Sequence, residues 1–286
     1  MDFFSVPDPT LYAIPFFLLS MVVEWRVLRT MTTRGGYDVG RDTAASLAMG
    51  IVSLGFVTLI NAGVYALARG AYAHRLFVID HALLEWALAL VLWDFAYYWH
   101  HRFEHEIRLF WASHVAHHSS EKYNLSTALR QPWTPFLSLV LFPPIAFLGV
   151  RPELILMSGG FNLIYQFWVH TEVIRKMPPA FEWLLNTPSH HRVHHGSNPT
   201  YLDKNYGGIF IVWDRLFGSF TEEREPVAYG LTKNITSYNP LVIASHEYRD
   251  IARDVLQARS LGEAWKRVFG RPGWQPERSP ESPPPR

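Results

Sequence analysis

The sequence predicts an all-α fold: an integral membrane helical domain of about four to five transmembrane or re-entrant helices, with a cytoplasmic helical cap. Three observations indicate this class. Long apolar segments recur over residues 11–168, histidine clusters at helical spacing follow or separate them, and the chain contains no cysteine. The cap is therefore expected to hold a histidine-rich metal site at one face of the membrane.

Five apolar segments are candidates for the membrane helices, namely residues 11–28, 44–68, 82–99, 133–150 and 152–168. The second is the clearest, because only Asn61 interrupts it. The third carries Glu85 and Asp94, and Pro143 with Pro144 must kink the fourth. The fourth and fifth segments are therefore expected to form either a full hairpin or a re-entrant one.

The distribution of arginines predicts the orientation of these segments. Around the connection after the first segment lie Arg26, Arg29, Arg34 and Arg41, whereas the next connection holds Arg69 and Arg75. The positive-inside rule then places the first connection in the cytoplasm and the N-terminus outside. With five crossings, all three histidine clusters fall on the cytoplasmic side. The N-terminus lacks the basic flank and cleavage site of a signal peptide, so the first segment is expected to be retained.

The three histidine clusters are the most informative part of the chain. Residues 101–105 read His-Arg-Phe-Glu-His, residues 114–118 read His-Val-Ala-His-His, and residues 191–195 read His-Arg-Val-His-His. Histidines three or four positions apart share one face of a helix, so each cluster can present its imidazoles in one direction. Without cysteine, the available ligands are histidine, carboxylate and water. The alternative interpretation is a set of solvated helix ends that bind metal adventitiously.

Three further histidines lie near these clusters. His170 ends the fifth segment and is predicted to be an additional ligand, since its helix should finish beside the clusters. His190 adjoins the third cluster, while His100 would point about 100° away from His101 on a helix and is expected to support the ligands or face the interface.

Composition excludes other classes of function and fits a membrane protein. A formal charge of +1 gives no reason to expect a nucleic-acid partner, and the absence of cysteine excludes disulfides. Eleven Trp and thirteen Tyr suit a membrane interface, although they also suit an aromatic core. Residues 271–286 are rich in Pro, Ser and Glu and are expected to form a disordered tail.

Several runs resemble one known superfamily. Residues 97–106, 110–120 and 186–196, followed by 203–207 and 213–218, resemble the histidine boxes and tail of the fatty acid hydroxylase and sterol desaturase superfamily of membrane di-iron enzymes. Within it, residues 121–131 and 165–173 most closely resemble the alkylglycerol monooxygenase family. The resemblance implies a catalytic domain over residues 80–235, between N-terminal transmembrane helices at 1–79 and a C-terminal helical segment at 236–270.

The resemblance also implies an activity: an O2-dependent di-iron monooxygenase that hydroxylates a lipid C–H bond. In the alkylglycerol monooxygenase family this chemistry cleaves glyceryl ethers with a tetrahydropterin as reductant. The alternatives are a sterol or fatty-acyl desaturase or hydroxylase of the same superfamily, or, in another class, a non-catalytic metal-binding membrane protein or transporter. Expected partners are a lipid substrate within the membrane and, where no pterin serves, a separate redox protein. No feature of the sequence indicates an oligomeric state.

Carried over residue by residue, the implied metal ligands are His101, His105, His114, His117, His118, His170, His190, His191, His194 and His195. Glu106, Asp203 and Asp214 are the candidate catalytic carboxylates, each expected to orient a ligand imidazole, and Glu106 could instead bridge the metals. The alternative for each is a surface charge or a helix cap. So many ligands are too many for one ion, and two irons are the simplest interpretation, although a two-zinc hydrolase stays open. The expected location is the inner membrane in a bacterium or the endoplasmic reticulum in a eukaryote.

Overall fold

The computed structural model describes residues 2–31 and 40–276. Its helices are α1 (Pro9–Met31), α2 (Gly40–Ala73), α3 (Ala82–Glu106), α4 (Arg108–His118), α5 (Ser138–Leu141), α6 (Pro152–Val169), α7 (Pro179–Leu184), α8 (Pro188–His194), α9 (Val212–Phe217), α10 (Pro240–Leu256) and α11 (Leu261–Phe269). Short 3-10 helices lie at Phe3–Ser5, Leu125–Leu129 and Pro143–Leu148. Within the described residues no strand is present beyond two isolated bridges, so the all-α prediction is confirmed.

Two described helices are long and apolar enough to cross a membrane. They comprise Pro9–Thr30 of α1 and all of α2, Gly40–Ala73. Large apolar side chains such as Leu19, Leu54 and Leu59 point outward from them and are exposed. Neither α3 nor α6 is among these candidates; α3 buries Glu85 and Asp94, and α6 carries Glu153 and Asn162. The predicted number of four to five crossings therefore stays a prediction.

The fourth apolar segment does not form a continuous helix. It consists of the four-residue α5 and the 3-10 helix Pro143–Leu148, which starts at the predicted proline kink. Gly149 then turns the chain with a φ of +96°, and a Cβ there would lie 2.4 Å from the carbonyl oxygen of Phe77. This short, bent segment runs along α2. The Trp133 indole donates a hydrogen bond to Met49 O in the first part of α2, and Phe147 O accepts one from Leu76 N just after α2 ends, which fits the full hairpin better than the re-entrant one.

The helices share one apolar core. It contains Ile60 and Val64 of α2, Ala89 of α3, Ile155 of α6 and Ile145 of the 3-10 helix Pro143–Leu148. Burial of these side chains fixes the relative position of the three long helices.

Polar contacts mark the two ends of this bundle. At one end Glu85 of α3 pairs with Arg151, which precedes α6. At the other end Glu24 of α1 accepts hydrogen bonds from Leu125 N and Thr171, directly after α6. The C-terminal end of α3, with its histidines, lies at this second end. The C-terminal ends of α1, α3 and α6 therefore lie at the same end of the bundle, and the membrane topology stays a prediction.

The C-terminal helices α10 and α11 pack against α4. Arg108 at the start of α4 pairs with Glu247 and Asp254 of α10, each at 2.7 Å. Ile243 of α10 packs against Met49 of α2 and Ala116 of α4. These helices lie within the predicted C-terminal segment. Residues 277–286 of the predicted tail, and Arg34, lie outside the described residues.

Candidate metal centre

Nine histidines converge into two neighbouring groups in the interior. The first group contains His101, His105, His114, His118 and His194, and the second contains His117, His170, His191 and His195. Within each group one ring nitrogen per residue lies within 4.8 Å of all the others. All nine side chains are buried. Distant parts of the sequence thus meet in one place, with α3, α4, α8 and the end of α6 each contributing.

Helical spacing distributes these side chains between the groups. His114 and His118 are one turn apart on α4 and both belong to the first group, whereas His117 points to the second. At the end of α8, His191 and His195 belong to the second group and His194 to the first. Each of these two helices therefore serves both groups.

Backbone carbonyl groups fix the tautomer of four of the imidazoles. The Nδ1 atoms of His101 and His170 lie 2.8 and 2.7 Å from the carbonyl oxygens of Tyr206 and Gln166. His194 makes the same contact with Lys204 O at 2.9 Å. His117 contacts Arg130 O at 3.3 Å. A carbonyl oxygen only accepts hydrogen bonds, so each of these Nδ1 atoms carries the proton. The Nε2 atom of each neutral ring is then a bare lone pair.

These lone pairs point at one another. His101 Nε2 and His114 Nε2 are 3.0 Å apart, and His117 Nε2 and His170 Nε2 are 3.2 Å apart. Among the described residues, the buried Nε2 atoms of His105, His194 and His195 have no hydrogen-bond partner. Facing lone pairs repel, and an unpartnered buried nitrogen costs free energy, unless a cation lies between them. The arrangement fits transition-metal ions, which imidazole nitrogen binds well.

A carboxylate orients one ligand of the first group. Glu104 Oε2 lies 3.1 Å from His114 Nδ1 and 3.3 Å from His100 Nδ1. Burial by itself would raise the pKa of Glu104, but the two imidazoles hold it below its ordinary value. Glu104 therefore stays an anion, accepts a hydrogen bond from the Nδ1–H group of His114 and leaves His114 Nε2 free for a metal.

Burial keeps the ligands neutral. It lowers the pKa of His101, His118 and His195 well below the ordinary value of 6.5, and neighbouring imidazoles lower it further. For His170 the same burial lowers the pKa to about 4. Neutral imidazole is the form that binds metal, so this environment favours coordination at neutral pH.

The structure separates His190 from the other nine predicted ligands. Its Nε2 lies 3.0 Å from Glu182 Oε2, and its Nδ1 lies 3.3 Å from the Thr187 hydroxyl oxygen. It belongs to neither group. The neighbouring His191 contacts His170, with 2.9 Å between their Nε2 atoms. His190 is thus placed to support α8 beside the site.

The three predicted carboxylates occupy different surroundings. Glu106 pairs with Arg102 at 3.0 Å, away from both histidine groups. Asp203 Oδ1 lies 3.7 Å from His105 Nδ1, beyond hydrogen-bond distance. Asp214 is fully buried and accepts hydrogen bonds from Tyr206 N and Gly207 N. Its contacts hold the loop whose Tyr206 carbonyl orients His101. A catalytic role for these three residues stays a prediction.

Sequence reasoning missed Glu104 and Glu182. Glu104 follows His100 by four positions on α3, so the two share a helix face, and that spacing was the available signal. Glu182 precedes the third cluster by several residues on α7, and its contacts with Ser189 and His190 depend on a turn that no local pattern indicates.

Comparison with known proteins agrees with the motifs. Residues 86–219 match the family model described as fatty acid hydroxylase. The chain is 40% identical to the alkylglycerol monooxygenase of Homo sapiens, over 95% of this chain and 61% of the relative. It is 38% identical to the alkylglycerol monooxygenase of Danio rerio, over 95% of this chain and 60% of that relative. An ornithine lipid hydroxylase of Rhizobium tropici is 24% identical over 70% of this chain and 58% of the relative.

The two alkylglycerol monooxygenase matches cover almost all of this chain. The chain itself spans only about three fifths of the length of those two relatives. No solved structure matches it significantly. The two long apolar helices and these relatives together indicate a membrane protein. The family match and the multipart resemblance lead to one conclusion: residues 86–219 carry a fatty acid hydroxylase domain.

Proposed function

We propose that this chain is an iron-dependent oxygenase that hydroxylates a C–H bond of a membrane lipid, at the carbon next to the ether oxygen of a glyceryl ether. The convergence of bare Nε2 atoms in two histidine groups is the observation that carries this proposal. Similarity to alkylglycerol monooxygenases supports the choice of substrate. Hydroxylation at such a carbon gives a hemiacetal, which collapses to an aldehyde and an alcohol.

The donor set favours two redox-active ions over structural zinc. Structural zinc sites are usually satisfied by four ligands and have no redox chemistry. Here nine imidazoles form groups of five and four. Two irons held by these groups would supply the dioxygen chemistry, that is, the reduction of O2 and the transfer of one oxygen atom to a C–H bond.

The chain's own residues hold and shield the site. Carbonyl oxygens of Tyr206, Gln166 and Lys204 keep three imidazoles in the metal-binding tautomer. Glu104 supplies a buried negative charge beside His114. Burial of all nine ligands limits access of bulk water, so a lipid reaching them from the membrane would meet a low-dielectric environment.

The location completes the proposal. The histidines lie at the end of the bundle where α1 ends and α2 begins, and the arginines around the connection between these helices support a cytoplasmic location for that end. A multi-pass topology with the active site on the cytoplasmic face follows. The electrons come from a tetrahydropterin or a separate redox protein.

The test combines metal analysis with lipid turnover. We expect the purified full chain to contain two irons and to release a long-chain aldehyde from a 1-O-alkylglycerol only with O2 and a reductant. The His117→Ala variant should lose iron from the second group and lose turnover. His246→Ala is the matched control, because this ring contacts Ile243 O on α10, and it should keep both properties.

Other results would redirect the assignment. Two irons with turnover of a sterol or an acyl lipid instead would overturn the ether substrate but keep the oxygenase. Zinc at variable stoichiometry without turnover would indicate a metal-binding protein or transporter.

A further inference from the structure

Two short helices beside the third histidine cluster expose an unusual number of large apolar side chains. On α7 these are Phe181, Trp183 and Leu184, and on α9 they are Leu216 and Phe217. Trp183 is 60% exposed and Leu216 is 66% exposed. We call these five residues the α7–α9 face. Large contiguous apolar patches on a protein surface mark contacts with another protein or with a membrane.

The two helices form one surface. Arg215 of α9 donates hydrogen bonds to the carbonyl oxygens of Glu182 and Trp183 on α7, at 3.0 and 3.2 Å. A bridge between Leu185 and Phe210 ties the segments that flank them. The exposed side chains therefore lie next to one another in space as well as on separate helices.

This face lies beside the ends of two apolar segments. The Phe217 ring contacts Tyr98 and Trp99 of α3, with ring centroids 5.3 and 5.0 Å apart, where the third apolar segment ends. Tyr165 near the end of α6 donates a hydrogen bond to Asn186 O, just after α7. The face thus adjoins the ends of α3 and α6, which the predicted topology assigns to the membrane boundary.

Cations border this apolar surface. Arg175 and Lys176 are exposed and precede α7 by a few residues, and Arg215 is exposed on α9. Tryptophan and phenylalanine flanked by basic residues are typical of protein surfaces that lie in the interfacial region of a membrane.

We propose that the α7–α9 face is immersed in the interfacial region of the bilayer on the histidine side, with Arg175, Lys176 and Arg215 at the level of the lipid headgroups. The apolar side chains would enter about 5–10 Å below the headgroup boundary. This inference rests on the membrane location within the proposed function but not on the bound metal or the reaction.

The α7–α9 face also lies close to the third histidine cluster. The inward side of α7 carries Glu182, which contacts Ser189 and His190 of α8, next to the ligand His191. The helix that touches the membrane on one side therefore supports the third histidine cluster on the other. The geometry points to this edge as the place where a lipid approaches the site.

The absence of cysteine makes a direct test possible, because a single introduced cysteine is the sole site for thiol labelling. Leu216→Cys and Phe181→Cys, each carrying an environment-sensitive fluorophore, are reconstituted as full-length protein in phosphatidylcholine vesicles. We expect phosphatidylcholine brominated near the headgroup to quench the label and aqueous iodide to quench it little. Arg224→Cys is the control, because the Arg224 side chain is 81% exposed on a polar loop. A label at this position should be quenched by aqueous iodide and little by the brominated lipid.

Each result decides the matter. Quenching by iodide at 216 and 181 would show that water covers the face and would overturn the proposal. Protection from both quenchers would show that a protein, such as a second copy of this chain, covers it, and would also overturn the proposal. Because the readout needs neither iron nor turnover, it fails or succeeds separately from the proposed oxygenase activity.

Discussion

Glu104 links two histidines that play different parts. Its carboxylate contacts His114, whose Nε2 belongs to the first group, and His100, whose Nε2 lies 3.1 Å from the Ser138 hydroxyl oxygen. One buried anion thereby orients a ligand and lies close to His100, which contacts the start of α5. Such supporting carboxylates affect metal affinity without touching the metal.

Replacing this carboxylate tests its positioning role. Glu104→Gln keeps the size of the side chain but removes the charge that holds the His114 Nδ1 proton. We expect metal affinity of the first group, or turnover, to fall by about 10–100-fold. Iron per chain, measured by mass spectrometry during titration with a chelator, checks this. Glu263→Gln, which alters a pair with Arg267 on α11, is the control and should behave as wild type.

Spacing predicted the nine convergent histidines but not the carboxylates around them. His114, His117 and His118 lie on one helix turn, so their convergence follows from local geometry. The family resemblance implies a role for Glu106, which follows the first cluster, yet its carboxylate pairs with Arg102, whereas the buried carboxylate of Glu104 contacts His114. The direction in which a carboxylate points depends on how α3 packs against α4, and no periodicity within α3 reveals that packing.

The buried imidazoles also predict how stability depends on pH. Their folded-state pKa values are lowered by burial, whereas in the unfolded chain a histidine has a pKa near 6.5. Below pH 6.5 the unfolded state binds protons that the folded state does not, so the free energy of unfolding falls as the pH falls. The metal-free protein should therefore show a thermal midpoint that decreases from pH 7 to pH 5. A midpoint that increases on acidification would contradict this.

At the scale of elements, a buried ion pair joins α2 to Arg130, whose carbonyl oxygen contacts the predicted ligand His117. Arg130 pairs with Asp42 of α2 at 2.6 Å and also donates to Ser119 after α4. The carbonyl oxygen of Arg130 accepts from the His117 imidazole. The start of a candidate membrane helix is thus connected to the second histidine group through one residue.

Breaking this pair should destabilise the fold. Asp42→Asn leaves the guanidinium of Arg130 buried without a counter-charge, a change that typically costs about 3–5 kcal/mol. The free energy of unfolding in mixed detergent micelles measures the loss. Asp250→Asn removes an exposed pair with Arg253 and should cost at most about 1 kcal/mol. Equal effects of the two substitutions would refute the structural importance of the buried pair.

Apolar pattern predicted the long helices well and the fourth segment less well. α1 and α2 coincide with the first two apolar segments because length and composition alone decide them. Residues 133–150 are equally apolar, but the proline pair and Gly149 bend them back onto α2. The sequence left a full and a re-entrant hairpin open, since the choice depends on tertiary packing against residues such as Val64 and Ala68.

At the scale of the whole molecule, the bundle has two chemically different ends. One end carries the Glu85–Arg151 pair and the connection between α2 and α3. The other carries Glu24, Asp42 and the nine histidines. The arginines around the connection between α1 and α2 predict the same difference between the two ends. The side-to-side arrangement of the helices could not be predicted, because it depends on buried contacts such as that of Glu24 with Thr171.

This polarity predicts which loops a membrane-impermeant thiol reagent can reach. We expect Arg75→Cys to be labelled from outside intact cells, because residue 75 lies in the connection between α2 and α3. Lys233→Cys, on the histidine side, should be labelled only after the membrane is opened. The unsubstituted protein, which lacks cysteine, gives the background. Labelling of both variants from outside would exclude the proposed topology.

His117 and His118 are consecutive residues, yet they belong to different groups, and so do His194 and His195. Consecutive positions on a helix diverge by about 100°. In the proposed two-ion site, the distance between the ions would therefore depend on the backbone of α4 and of the end of α8 rather than on the choice of rotamers. Displacing either helix would move ligands of both groups at once.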